Sequence, residues 1–239
     1  MNPSLARLLG AAAIALTGAA PAHANTVIDF NSADLSGLYA AGESFVQTGY
    51  RMTAQLDFGT VDVAAALGAV APSGNATPFY FAANSGSLRV AAVDAVPFRL
   101  NTFSAAFVPL DPPSLQATVI VAKGTTAAGA EVTASWAFAS SVTTSFPFAA
   151  YTAPAAFSNL ARVEFYACSL VGGFICSQPT LNNGQFGIDN ISVTAIPEPG
   201  TALLLTLGVV GLGLGLGQRW RRRTRTRTRT RTRTRCGLR

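Results

Sequence analysis

Tyr50-Arg51-Met52-Thr53-Ala54-Gln55-Leu56-Asp57-Phe58 alternates apolar and polar side chains without a break. Successive side chains of a β-strand point to opposite faces, so this run predicts one strand with Tyr50, Met52, Ala54, Leu56 and Phe58 inward. The same period-two pattern recurs in Val132-Thr133-Ala134-Ser135-Trp136-Ala137-Phe138, in Val163-Glu164-Phe165-Tyr166, in Leu88-Arg89-Val90 and in Phe98-Arg99-Leu100. Apolar runs at 27–30, 103–108 and 118–122 predict further strands, and 186–193 completes a set of about eight or nine. Turn formers separate them: Ser73-Gly74-Asn75, Asn84-Ser85-Gly86, Asp111-Pro112-Pro113, Lys123-Gly124 and Asn182-Asn183-Gly184. The best helical stretch, 63–67, contains Ala64-Ala65-Ala66 and stops at Gly68. No internal repeat or long linker divides this region. The expected fold is all-β, an antiparallel β-sandwich of the jelly-roll kind occupying residues 25–195 as one domain.

The two ends follow other rules. At the N-terminus Arg7 precedes an apolar stretch over 8–20, and Ala22-His23-Ala24 supplies small residues flanking a cleavage point. Residues 1–24 therefore read as a secretory signal peptide, with the mature chain starting near Asn25. At the other end Pro197-Glu198-Pro199-Gly200 precedes an uncharged apolar run over 201–217. Those seventeen residues span about 25 Å as a helix, the short limit for a bilayer crossing. Trp220 suits the headgroup level, and the arginines from Arg219 onward suit the cytoplasmic side. The predicted transmembrane helix thus has its N-terminal side facing out of the cytoplasm. Beyond it residues 224–239 form a low-complexity Arg-Thr tail with no interleaved aromatics to stack on bases, which argues against nucleic acid as a partner.

The order of Pro197-Glu198-Pro199, short apolar helix and arginine cluster over 196–223 closely resembles the PEP-CTERM sorting signal of bacterial exported proteins. The resemblance implies an exosortase as partner, a membrane-embedded cysteine peptidase, with Pro197, Glu198 and Pro199 as its recognition element. It further implies a tether in the inner membrane before processing, and association with the cell surface or the extracellular polysaccharide matrix and biofilm afterwards. The long Arg-Thr extension and Cys236 depart from the usual short tail, and lie beyond the presumed cut.

Charge belongs mostly to that tail. The whole chain is formally +6, yet eleven of its seventeen basic residues lie from Arg219 onward. Between 25 and 200 five basic residues face eleven acids, leaving −6. A basic-protein reading is therefore wrong for the body. Its two cysteines, Cys168 and Cys176, would enter an oxidising compartment on export. A disulfide closing the loop 169–175 is expected, stabilising by about 2–3 kcal/mol through the unfolded state.

The single histidine, His23, leaves with the signal peptide, so the body has no imidazole for a nucleophilic triad or a His-ligated zinc. No P-loop or Gly-x-Gly-x-x-Gly opens a helix. Paired carboxylates could still hydrolyse glycosides, but Asp57 and Glu164 sit at alternating polar positions and Asp94 and Asp111 near turns, where solvated acids are ordinary. No catalytic residue is assigned, and the protein is expected not to be an enzyme. Trp136, between Ala134 and Phe138, is expected to face the core; Tyr80, Tyr151 and Tyr166 could each be exposed.

Gln185-Phe186-Gly187-Ile188-Asp189-Asn190-Ile191-Ser192-Val193 resembles the closing strand of PEP-CTERM proteins with a Gln-Phe-x-x-Asp motif. It is also similar to the closing strand of jelly-roll carbohydrate-binding modules. Those modules commonly hold a structural calcium between first and last strands, which makes Asp29 and Asp189 candidates by position. Two acids fall short of the six to eight oxygens calcium takes. The other reading has Asp189 and Asn190 bonding neighbouring backbone at a strand irregularity. Asn75-Ala76-Thr77 and Asn190-Ile191-Ser192 also match glycosylation sequons, a pattern that arises often by chance. The resulting expectation is an exported, non-catalytic surface or matrix protein that binds polysaccharide. The alternatives are a secreted polysaccharide hydrolase using paired carboxylates, and a structural matrix protein without a ligand.

Overall fold

The computed structural model describes residues 25–33, 35, 37–109, 118–139, 146–171, 175–177 and 184–196, all within one compact unit, His23–Ile196. Residues 1–24, the Pro-Glu-Pro turn, the apolar run 201–217 and the Arg-Thr tail lie outside the described residues, as do Asp34, Asp111-Pro112-Pro113 and Asn182-Asn183. Among the described residues no helix is long and apolar enough to cross a membrane.

In chain order the strands are β1 (Asn25–Ile28), β2 (Leu38–Tyr39), β3 (Ser44–Gln47), β4 (Tyr50–Gln55), β5 (Gly59–Asp62), β6 (Phe79–Ala82) and β7 (Ser87–Ala92). There follow β8 (Phe98–Phe107), β9 (Val119–Thr126), β10 (Glu131–Ala137), β11 (Ala149–Thr152), β12 (Leu160–Val171), β13 (Ile175–Ser177) and β14 (Phe186–Ala195). The all-β, antiparallel expectation holds: every ladder between these strands is antiparallel. One ladder runs β2-β5-β6-β14-β8, with β1 beside β14 and β11 beside β8. The other runs β3-β4-β7-β12-β9-β10, with β13 beside β12. Leu160 paired with Phe98 joins the two into a nearly closed sheet. The main core draws on both, from Ile28, Phe103 and Ile188 to Met52, Val90 and Phe165.

Three local expectations need correction. The alternation from Tyr50 stops at Gln55, because Leu56 adopts φ 67 and lies 63% exposed. Asp57 then caps a turn, accepting from the Phe58 amide at 2.9 Å and from Asn84 Nδ2 at 3.0 Å. Lys123-Gly124 is no turn but the middle of β9, where a Cβ on Gly124 would meet Leu160 Cδ2 at 2.7 Å and Val132 Cγ2 at 2.8 Å. The segments at 98–100 and 103–108 are one strand, β8. More strands form than the pattern suggested, since β6 is buried on both faces and shows no alternation, while β2, β3 and β11 are short. The stretch 64–70 is a 3-10 helix interrupted at Gly68, which adopts φ 60 and ψ −128.

Aromatic residues fill the interior. Trp136 packs edge-on against Phe103 with centroids 5.1 Å apart, and so faces the core as expected. Tyr80 is buried rather than exposed, and its ring crosses Gly59, where a Cβ would collide with the phenol. The glycine thus makes room for the tyrosine. Gly59→Ala should destabilise the body by about 1–3 kcal/mol through overpacking, read as a lower urea midpoint; an unchanged midpoint would show that Tyr80 moves freely.

Cys168 is buried and disulfide-bonded. The β12–β13 register sets Cys176 opposite Leu170, two positions along β12 from Cys168. Non-reducing peptide mapping should recover a Cys168–Cys176 crosslink; a crosslink to Cys236 would refute that pairing.

Candidate functional site

β14 has two partners along one edge. β6 pairs with residues Phe186, Gly187 and Ile188, and β1 pairs with Ile191, Ser192, Val193 and Thr194. Asp189 and Asn190 fall between the two ladders. On the opposite edge the register with β8 shifts between Asp189 and Ser192, and Asn190 takes φ 51. This is the strand irregularity that the Asp-Asn sequence suggested.

Asp189 is fully buried there. Its Oδ1 accepts from the Asn190 backbone N–H at 2.7 Å, while Oδ2 accepts from Asn75 Nδ2 at 2.8 Å, Thr77 Oγ1 at 3.1 Å and Asn190 Nδ2 at 3.1 Å. Asn75 Oδ1 in turn accepts from Thr77 Oγ1 at 2.6 Å and the Thr77 amide at 2.9 Å. Burial pushes the Asp189 carboxyl up to about 6; the hydrogen bonds from Asn190, Asn75 and Thr77 oppose this, and the charge of Asp29 adds to it.

Asp29 follows β1, so the pairing of first and last strands does bring the two candidate acids into one neighbourhood. Its oxygens accept from the Asn31 amide at 3.2 Å, Asn31 Nδ2 at 2.9 Å and Gln47 Nε2 at 2.9 Å. Buried Gln47 also accepts from the Phe30 amide at 3.1 Å, holding a residue whose φ is 57.

The contacts made to Asp29 and Asp189 themselves all turn an N–H or O–H toward the carboxylate. A calcium ion needs oxygens there instead, so the donor set as arranged does not fit one. Among the described residues no group of three or more His, Cys, Asp or Glu side chains is placed to hold a metal. The cluster is a satisfied polar network that closes the gap between β1 and β6. Sequence reasoning missed Gln47 and the roles of Asn75 and Thr77. The sequon pattern marked Asn75 for a different reason, and no local pattern announces contacts between residues 114 apart. The other candidates, Ala22, Ala24, Pro197, Glu198 and Pro199, lie outside the described residues.

A cleft of ≈ 190 Å³ lies at the strand ends, between Thr48, Tyr50 and Asp94. It is below the roughly 300 Å³ at which small-ligand pockets begin, so a polymer would need an open face instead.

No protein-family model and no curated protein matches the chain. Among solved structures, the enzymatically active domain of bacteriophage CBA120 tailspike protein 4 is similar over 70% of this chain at 13% identity, with a TM-score of 0.29. The match spans 20% of that structure's chain, and a likeness so low carries no argument about this protein.

The Asp189 network has a pH signature. Its folded pKa of about 6 lies above the ordinary 3.8, so the folded state holds a proton that the unfolded state has lost between those values. Stability should therefore fall as pH rises from about 4 to about 6, by up to about 3 kcal/mol, and stay down above that. Asp189→Asn should flatten this slope in urea titrations, and chelation at pH 7 should leave Tm unchanged. An unchanged slope in Asp189→Asn, or a drop in Tm on chelation, would overturn the account.

Proposed function

We propose that this is an exported, non-catalytic protein of the cell surface or extracellular matrix, sorted by an exosortase and built to bind polysaccharide. Signal peptidase cleaves after Ala24, and residues 201–217 hold the chain in the inner membrane until the exosortase acts at Pro197-Glu198-Pro199. The two ladders around one core are read as the sheets of a jelly-roll sandwich.

The observation that carries this reading is a coincidence of boundaries. The compact unit ends at Ile196, whose amide donates to Pro97 O at 2.7 Å, and the Pro-Glu-Pro turn begins at the next residue. A cut near Pro199 would leave every described strand intact. Likewise β1 starts at Asn25, whose Oδ1 accepts from Asn101 Nδ2 at 2.9 Å and Ser192 Oγ at 3.0 Å. Removal of residues 1–24 would keep that anchor.

The hydrolase reading draws on one feature, a carboxyl with a raised pKa beside a second acid, as glycosidases use. Against it, Asp189 is fully buried and takes up four donors, leaving no path for a substrate oxygen. The remaining alternative, a structural matrix protein, needs no ligand at all.

Terminal sequencing of the exported form should give Asn25 at the N-terminus and a C-terminus near Pro199. Recovery of a soluble cytosolic chain with both ends intact would refute the sorting reading. Reducing-sugar release abolished by Asp189→Asn would replace binding with hydrolysis.

A further inference from the structure

The described body is acidic, but its cations are not scattered. Arg51, Arg89, Lys123 and Arg162, four of the five basic residues between 25 and 200, occupy one face of the ladder β3-β4-β7-β12-β9-β10. Their neighbours in sequence, Met52, Val90, Ala122 and Val163, are in the core, so alternation turns the four cations outward. Register aligns a polar row across all six strands: Ser44 with Thr53, Thr53 with Arg89, Arg89 with Glu164, Glu164 with Lys123, and Lys123 with Thr133. Arg51 and Arg162 stand one step along the same face, two residues from Thr53 and Glu164. Arg89 and Lys123 flank Glu164, which places their backbones about 10 Å apart, and Arg51 and Arg162 flank β7 at about the same spacing.

These cations are only partly engaged. Arg89 lies 3.6 Å from Glu164, and its Nε is buried without a hydrogen-bond partner. Lys123 pairs with Glu131 at 2.9 Å. Arg51 and Arg162 are exposed and have no ion pair among the described residues. Tyr166, half-buried, borders the row where the face passes into the small cluster of Val119, Val121 and Cys168.

We propose that this face docks an acidic polysaccharide whose sugars carry carboxylate groups, an inference that rests on the polysaccharide reading above. The arginines supply paired donors that match carboxylates, and they are weakly hydrated enough to exchange water for a ligand. Glu164, Glu131 and the hydroxyls of Ser44, Thr53, Thr125 and Thr133 offer partners to sugar hydroxyls between the charges. Interleaved acids suit a polymer with one charge per sugar; duplex DNA, with one charge per about 1.7 Å, would be repelled by them and would find a single aromatic ring.

The test uses the full chain in detergent, with sodium polygalacturonate as probe and neutral dextran and duplex DNA as comparators. Because the tail is itself cationic, all arginines from Arg219 onward are first replaced by Gln. That variant should bind polygalacturonate, more weakly as salt rises, and more tightly than dextran or DNA. Adding Arg51→Gln and Arg162→Gln should weaken binding at least about tenfold at unchanged Tm, whereas Arg51→Lys and Arg162→Lys should retain most of it. Binding that vanishes with the tail arginines, that ignores the Gln pair, or that is matched by DNA would overturn the proposal. Dextran bound in preference to polygalacturonate would sink this inference and leave the polysaccharide reading standing; no glycan bound at all would sink both.

Discussion

The body is held together by the pairing of its last strand with its first. β14 lies between β8 on one edge and β6 and β1 on the other, and all but three of its ten residues are buried. Asn25 and Thr194, joined in that ladder, are 169 positions apart in sequence. Loop closure on that scale is paid in entropy before any contact compensates it, so folding dominated by such pairings is slow. Until residue 195 is available, β1, β6 and β8 lack their common partner. Gly187 shows how tight the final fit is: a Cβ there would meet Phe79 at 2.9 Å and Phe148 at 3.0 Å.

The same strand carries the buried acid. A carboxylate taken from water costs stability, and its raised pKa expresses that cost. The compensation is structural. Where β14 changes partner from β6 to β1, the register breaks at exposed Asn190, and its backbone N–H takes an acceptor outside the ladder. Asp189 Oδ1 accepts from it, while Oδ2 gathers Asn75 and Thr77 and so ties the segment before β6 to the central strand. On this view the Asp-Asn pair is a device for switching partners within a strand, which needs neither metal nor substrate.

What the sequence made legible follows from which residues obey local rules. Tyr50 to Gln55 alternates because one face is core and the other is water, and the strand is where the pattern says. The pattern then misleads at Leu56, whose left-handed backbone serves a turn although the residue is apolar and β-compatible. Gly124 looks like punctuation, but its missing side chain answers a packing demand from Leu160 and Val132 on other strands. β6 is hidden for the opposite reason: with both faces covered, Phe79-Tyr80-Phe81-Ala82 has no period to detect. Of the central cluster, proximity of Asp29 to Asp189 followed from pairing of the end strands, while Gln47, Asn75 and Thr77 arrive through long-range contacts that no spacing encodes.

Charge illustrates the same division between what adds up along a chain and what a fold arranges. The chain's pI of about 9.8 reflects the arginines beyond residue 218, and says nothing about the −6 body before them. Even that net value is the wrong quantity for a ligand. At physiological ionic strength charges are screened beyond about 8 Å, so a docking polymer senses the few groups beneath it and not the sum over the molecule. Strands about 4.8 Å apart set the backbones of Arg89 and Lys123, and of Arg51 and Arg162, about 10 Å from each other across one intervening strand, although long stretches of sequence separate them. An acidic protein can thus present a locally cationic face, with the remaining acids on other surfaces limiting what else adheres. Selectivity of that kind depends on register: a slip of one residue in β4 or β12 would turn Arg51 or Arg162 into the core. The hydrophobic alternation that fixes the fold is therefore also what fixes the pattern of charge.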